Sequence, residues 1–225
     1  MEYINIITHV VLIMSLGWYL ITNLQWYNYK LDRVIFKHHK WQWHITYFLS
    51  PIVLFYIIPE PYFAIYFFLV FLTSFVLWNK KLDRGLVLTS RVKRFLVILL
   101  LSAFAIISLC LSNPNCTNLF IFTPLLLAYI FSTLLEKLFF ISFKNKGKKR
   151  VKSIKDLKIV EITASFGKTS IKNYLYHILK NKYKVYKTPR SVNTIAGIVL
   201  DVNKDLPADT QIYIAEAGAR VKGDI

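Results

Sequence analysis

Acidic residues are scarce in this chain: 12 Asp and Glu stand against 29 Lys and Arg among 225 residues, a net charge of +17. Gly and Pro number seven each, which excludes collagen-like and low-complexity sequence. Two cysteines cannot build a disulfide framework, and Cys110 in an apolar run and Cys116 in a polar turn read as unpaired. Charged residues make up 18% of the chain, below the roughly 25% of a soluble domain. Apolar residues are abundant: 55% are hydrophobic, 16% are aromatic, and the mean hydropathy is +0.43. That richness excludes disorder. A large net charge and a high hydropathy cannot be spread evenly over one chain, so the two are segregated and a single soluble globule is excluded.

The stretches without Asp, Glu, Lys or Arg are 3–29, 41–59, 61–79 and 95–135. A helix needs about 20 apolar residues to cross a bilayer core. The first three runs each read as one span. The fourth reads as two, because 113–118 (NPNCTN) is a turn-forming cluster near its middle. Five transmembrane helices are expected within a membrane domain of residues 1–142. Buried core helices of a soluble protein would need a polar face, and these runs have none. No Lys or Arg precedes Lys30 and no small-residue cleavage site follows, so the first run reads as a span and not a cleaved leader.

The loops set the orientation. Lys30, Arg33, Lys37 and Lys40 lie in one connection, Lys80, Lys81, Arg84, Arg91, Lys93 and Arg94 in another, and nine more Lys and Arg fall in 136–158. The alternating connections carry no Lys or Arg, so the N-terminus is placed outside and the C-terminal part in the cytoplasm. Trp26, Trp41, Trp43 and Trp78 fall at the cytoplasmic span ends, where interfacial aromatics belong. His38, His39 and His44 sit beside Lys37 and Lys40 and read as a basic interfacial loop facing lipid phosphates in preference to a metal site. The spans hold no Asp, Glu, Lys or Arg for an ion or proton path.

Residues 143–156 form a basic linker expected against anionic lipids. With five spans before it, that role is preferred to nucleic-acid binding. From 157 to 225 the pattern becomes that of a partial α/β domain with a parallel sheet. Strands are expected at 159–163, 184–188 and 211–217. One helix over 168–182 would bury Ile171, Leu175, Ile178 and Leu179, and a second would bury Ile195, Ile198, Val199 and Val202. Strand, helix, strand, helix, strand in that order implies parallel pairing.

Between the first strand and the first helix stand Thr163, Ala164, Ser165, Phe166, Gly167, Lys168, Thr169 and Ser170. A loop at that junction offers free backbone N–H groups and a positive dipole end to phosphates. Gly167 lets the backbone approach, Lys168 brings a charge, and the Thr169 hydroxyl can ligate Mg²⁺. The first glycine of the full phosphate-loop pattern would fall at Ile162, so the motif rests on Gly-Lys-Thr and its placement. Glu216 ends the third strand at the same sheet edge. It reads as a metal ligand or as an ordinary strand-end acid, and Asn193 reads equally as a turn residue.

The segments 160–172 (VEITASFGKTSIK), 187–197 (KTPRSVNTIAG), 214–219 (IAEAGA) and 223–225 (GDI) resemble successive motifs of the central domain of the Mur ligase family, in its D-alanyl-D-alanine-adding branch. The resemblance implies a bacterial ligase that joins a carboxylate to an amine with ATP and Mg²⁺. It implies that Lys168 is catalytic, that residues 163–170 hold the ATP phosphates, that Thr169 and Glu216 ligate Mg²⁺, and that Asn193 and Thr194 line the nucleotide–substrate cleft. The implied partners are UDP-N-acetylmuramoyl-tripeptide and D-alanyl-D-alanine, joined through an acyl phosphate at the inner membrane. Ala164 stands where the family usually has Gly, which is expected to weaken nucleotide binding without abolishing it. A membrane domain stands where the family has a soluble substrate-recognition domain. A Mur central domain continues beyond the Glu216 motif, so the chain is expected to be the front part of a longer enzyme and inactive alone. The alternatives are a membrane-bound poly-γ-glutamate-type ligase, an ATP-driven transporter or sensor, and a non-catalytic membrane scaffold with a nucleotide-binding fold.

Overall fold

The computed structural model describes residues 2–112, 121–190 and 192–218. The expected turn at 113–118, Cys116, and residues 219–225 of the last motifs lie outside them. The chain divides into two compact units, Met1–Leu135 and Glu136–Ile225.

The first unit is helical: α1 (Glu2–Trp26), α2 (Leu31–Phe36), α3 (Gln42–His44), α4 (Ser50–Ile57), α5 (Glu60–Tyr66), α6 (Leu72–Lys80), α7 (Ser90–Ser112) and the start of α8 (Thr123–Ser153). Wider π-helical turns join α3 to α4 (Ile45–Leu49) and α5 to α6 (Phe67–Phe71). Pro51, just beyond the first of them, has no N–H and crowds the carbonyl four residues back, a strain that a widened turn accommodates. Among the described residues four helical stretches are long and apolar enough to cross a membrane: Ile4–Trp26, Glu60–Lys80, Ser90–Cys110 and Thr123–Ser153. The remaining run, 41–59, folds as consecutive segments of 3, 5 and 8 residues, shorter than the other four.

Packing in this unit is side chain against side chain, with large apolar residues such as Leu69, Leu101 and Leu126 left outside. Leu12, Ile13 and Leu16 of α1 are fully buried in one cluster with Phe95, Leu99 and Ala103 of α7. A Cβ on Gly17 would lie 2.0 Å from Leu99 Cδ2, so glycine is what lets these two helices approach. Phe63, Phe67, Phe71, Phe75 and Trp78 form a stacked column, with ring centroids 5.3–6.1 Å apart. An i, i+4 row drifts around a 3.6-residue helix, and the π-turn at Phe67–Phe71 offsets part of that drift.

Two expectations change here. His38 and His44 use both ring nitrogens inside the protein. His44 Nε2 donates to Val34 O (2.9 Å) while Tyr19 Oη donates to Nδ1 (2.7 Å). His38 Nε2 donates to Asn23 Oδ1 (2.8 Å) and Nδ1 accepts from Lys40 N (3.0 Å). Burial, with His44 as the next cause, pushes the His38 imidazole down to about 4, which keeps it neutral for those roles. These rings fasten the first loop to α1, whereas His39 and Lys40 are exposed. Cys110 is disulfide-bonded, which corrects the reading of unpaired thiols. A bridge of this kind persists where the compartment is oxidising.

In the second unit α8 runs on through the basic residues to Ser153, so much of the expected linker is helical. Then come β1 (Lys158–Ile162), α9 (Lys168–Leu179), β2 (Val185–Lys187), α10 (Ile195–Lys204) and β3 (Ile212–Glu216). The strands pair in the order β1-β3-β2, all parallel, with Lys158 opposite Ile212 and Ile162 opposite Glu216. Parallel neighbours need crossover connections, which α9 and α10 supply. β3 is central and buried throughout, and its alternation divides the core in two. Ile212 and Ile214 face a cluster that holds Leu175, Tyr176 and Leu179 of α9. Tyr213 and Ala215 face one built from Val202 and Leu206 with Val151 and Ile154. The helical period expected for α9 is present, but its buried stripe is rotated: Ile171 and Ile178 are 50% and 70% exposed.

Asp201, 3% exposed, accepts hydrogen bonds from Tyr186 Oη (2.7 Å) and Tyr213 Oη (2.9 Å). The two rings stack at 5.9 Å. Burial first, and the adjacent carboxylate next, hold both phenols above their ordinary range. Replacing Asp201 by Ala strands two buried hydroxyls and is expected to cost roughly 2–4 kcal/mol, with Asp201→Asn milder because its amide oxygen still accepts. Hydrogen exchange at the β3 amides of the detergent-solubilised chain measures the loss.

Candidate functional site

Parity along β3 decides what its last residue faces. Ile212, Ile214 and Glu216 share one side of the strand, the side covered by α9. The sheet register brings the end of β1, the loop after it and the start of α9 to the same carboxyl edge, where ligands of open α/β sheets bind.

The loop from Thr163 to Gly167 is exposed, with Phe166 91% exposed at its tip. Gly167 is the N-cap of α9 at φ 77°, with no side-chain cap. That left-handed conformation costs an L side chain about 1–2 kcal/mol. A Cβ there would meet nothing within 4 Å, so the space before the helix start is open. No acidic residue stands in the first turn of α9, which leaves its N–H groups and positive dipole end available to an anion. Lys168 Nζ bends back to donate to Ala164 O at 2.5 Å, across the loop it would serve.

Thr169 Oγ1 donates to Glu216 Oε2 at 2.9 Å. The two expected metal ligands, 47 residues apart in sequence, therefore meet. A third side chain joins them that the sequence reading did not name: Lys172 Nζ lies 3.1 Å from the same Oε2, with both side chains almost wholly buried, and also donates to Arg190 O. Glu216 N donates to Thr188 Oγ1 at 3.2 Å. Asn193 enters through its backbone, its carbonyl accepting from Gly218 N at 2.8 Å. The Thr194 side chain caps α10, accepting from Gly197 N at 3.2 Å. Glu161 is exposed on edge strand β1. Ser165 and Ser170 are exposed, Ser165 on the loop and Ser170 in the first turn of α9.

A signal for Lys172 was present. Lys172, Leu175 and Leu179 fall at i, i+3 and i+7, so a cation lies on the stripe that packs inward, and a cation there needs a partner. Among the described residues no cluster of three or more His, Cys, Asp or Glu side chains could hold a metal ion. One carboxylate and one hydroxyl at an open loop are hard oxygen donors. They fit Mg²⁺ whose remaining ligands are phosphate oxygens and water.

No protein-family profile matches the chain, and no solved structure matches it. Two curated proteins are similar over 68 residues. One is the UDP-N-acetylmuramoyl-tripeptide–D-alanyl-D-alanine ligase of Bacillus subtilis, 34% identical over 30% of this chain and 15% of that protein. The other is the ligase of the same name from Borreliella burgdorferi, 35% identical over 30% of this chain and 14% of that protein. The chain thus spans about one-seventh of the length of the relatives it matches. This local likeness supports a relation to Mur-type ligases.

Replacing Glu216 by Ala leaves the Lys172 ammonium buried without a counter-charge, and the expected cost is about 3–5 kcal/mol. Glu216→Gln keeps an acceptor oxygen and costs less. Chemical denaturation of the two variants, followed by circular dichroism, separates them.

Proposed function

We propose that this chain supplies the membrane domain and the phosphate-binding part of a Mur-type ATP-dependent carboxylate–amine ligase. The observation that carries the reading is the meeting of Thr169 and Glu216 beside the Gly167–Lys168 turn. The similarity to the two UDP-N-acetylmuramoyl-tripeptide–D-alanyl-D-alanine ligases supports it. Activity, substrates and partners are proposed for the complete ligase and not for these 225 residues.

In that ligase the terminal carboxylate of a UDP-N-acetylmuramoyl-tripeptide is phosphorylated to an acyl phosphate. The amine of D-alanyl-D-alanine displaces the phosphate, giving an amide, ADP and inorganic phosphate. Mg²⁺, when bound, neutralises phosphate charge. This chain's part is positioning and electrostatics. The amides that open α9 and the loop 163–167 bind phosphate oxygens, and Lys168 swings from Ala164 O to the charge that develops on the transferred group. Thr169, its O–H donating a hydrogen bond to Glu216, would keep its lone pairs for the metal, and Glu216 would offer a carboxylate oxygen. Asn193 and Thr194 border the cleft from the β2–α10 loop.

Lys168→Ala in the whole enzyme is expected to lower ADP release by about 10²–10³-fold. The assay contains ATP, Mg²⁺, UDP-N-acetylmuramoyl-tripeptide and D-alanyl-D-alanine. Stimulation by glutamate in place of the dipeptide would favour the poly-γ-glutamate-type ligase. Unchanged ATP binding in the variant would favour the scaffold.

The membrane part is proposed as five spans in a bacterial plasma membrane, with the N-terminus outside, the α/β unit in the cytoplasm and the basic residues of α8 near anionic lipids. Aromatic contacts support a span from the short run 41–59. Trp43 meets Trp78 at 5.7 Å and Phe55 meets Phe63 at 5.2 Å, so α3–α4 lies along most of α5–α6 as an antiparallel hairpin. With Cys110 and Cys116 replaced, Glu60→Cys is expected to react with a membrane-impermeant maleimide on intact cells, and Arg84→Cys only after permeabilisation. Protection of position 60 would reduce the count to four.

A further inference from the structure

Lys172 is 1% exposed on a helix whose neighbouring residues Ile171 and Tyr174 are on the surface. A lysine has a long, flexible stem and normally keeps its ammonium in water. This one turns inward to two anchors on two other elements, Glu216 Oε2 at the end of β3 and Arg190 O in the loop after β2.

Oε2 is fully engaged, accepting from both Thr169 Oγ1 and Lys172 Nζ. Among the described residues Oε1 has no protein hydrogen bond. Rotating the carboxylate would break both contacts, so Lys172 and Thr169 together fix which oxygen is left without a protein partner among the described residues. Arg190 itself holds a positive φ of 46°, which L side chains adopt at a cost, and its carbonyl is the one that Lys172 grips. That loop continues to Asn193, whose carbonyl accepts from Gly218 N two residues beyond Glu216.

We propose that Lys172 is a positioning residue for the metal-binding carboxylate: it orients Glu216 toward the cation and locks the 188–193 loop to the same carboxylate. The inference rests on the ligase reading above. Its competitor is a placeholder, in which the ammonium only neutralises Glu216 until a cation replaces it. The two predict opposite signs. A positioning residue makes the metal bind better, whereas a placeholder competes with it. The second anchor at Arg190 O favours positioning, because a cation held by Glu216 would not supply it.

The test uses the complete ligase in detergent, with Lys172→Met and the charge-keeping Lys172→Arg. The first readout is the Mg²⁺ concentration for half-maximal binding of a fluorescent ATP analogue. Lys172→Met is expected to raise it by about 10–100-fold, the usual effect of losing a residue that orients a ligand, with Lys172→Arg closer to wild type. The second readout needs neither metal nor nucleotide: trypsin cleavage after Arg190, followed by mass spectrometry, is expected to accelerate severalfold in Lys172→Met. A lowered Mg²⁺ requirement would establish the placeholder and overturn the proposal. Unchanged cleavage would remove the loop lock. If Lys172→Met does not fold, Lys172→Gln takes its place with the same expectations, and an unchanged Mg²⁺ requirement with unchanged cleavage overturns the proposal. If wild type shows no Mg²⁺-dependent binding, the ligase reading fails first and the positioning role falls with it, whatever the protease result.

Discussion

A carboxylate buried to 2% exposure at the end of an apolar strand is tolerable only with a counter-charge and hydrogen-bond donors around it. Glu216 has the Lys172 ammonium as counter-charge and the Thr169 hydroxyl as donor, and the carboxyl edge of the sheet is organised by that requirement. Lys172 must point inward to supply the charge, which fixes the rotation of α9 and puts Ile171 and Ile178 outside. Thr169, one turn earlier, then falls within reach of Oε2, and Thr188 takes the backbone N–H of Glu216. The loop between Gly167 and Ile162 is left open because the charged contacts lie behind it. A parallel sheet of three strands would otherwise present little at that edge beyond loop backbone.

The helical unit obeys a different constraint. Lipid gives no hydrophobic drive for one apolar helix to find another, so contact depends on fit and on having no stray polar group. Gly17 provides the close approach, and the column from Phe63 to Trp78 provides a continuous surface. Thr8, Ser15 and Thr22 turn their hydroxyls back to carbonyls four residues earlier on α1, at 2.7–2.8 Å, and make no demand on neighbours. Several polar contacts between elements gather where α1 ends, around Asn23, His38 and His44, while Asn5 Nδ2 donates to Glu60 Oε2 near its start and Trp18 Nε1 to Asn79 Oδ1 along its length.

Much of this was legible in the chain, because long-range order followed from local pattern. Charge-free runs marked the helices by length alone. Apolar strands separated by helical periods implied parallel pairing, and Gly167-Lys168-Thr169 marked the turn. Glu216 could be placed at the same edge because the order of elements dictates which strand ends meet. Illegible were features set by tertiary choice. The rotation of α9 depended on Lys172 finding Glu216, and the apolar spacing of Ile171 and Ile178 pointed the other way. The roles of His38 and His44 depended on Asn23 and Tyr19, 15 and 25 residues distant. The bond at Cys110 left no mark in the local pattern of its helix. The basic run after 143 carries no apolar period of its own strong enough to announce that Val151 and Ile154 belong to a core.

That last feature has a practical edge. Gly147 is buried, with Val199 and Asn203 beside it. Asn203 Nδ2 donates to Phe143 O at 2.9 Å, and Arg150 Nη2 donates to Leu206 O at 2.5 Å. The C-terminal end of α8 is thus a structural layer of the α/β unit, laid over one face of its sheet. Severing the chain where the strands begin, at 157, would bare Val202, Leu206 and Tyr213 to water and yield an insoluble remnant. A soluble version of the α/β unit must start no later than Phe143 and carry its stretch of helix along.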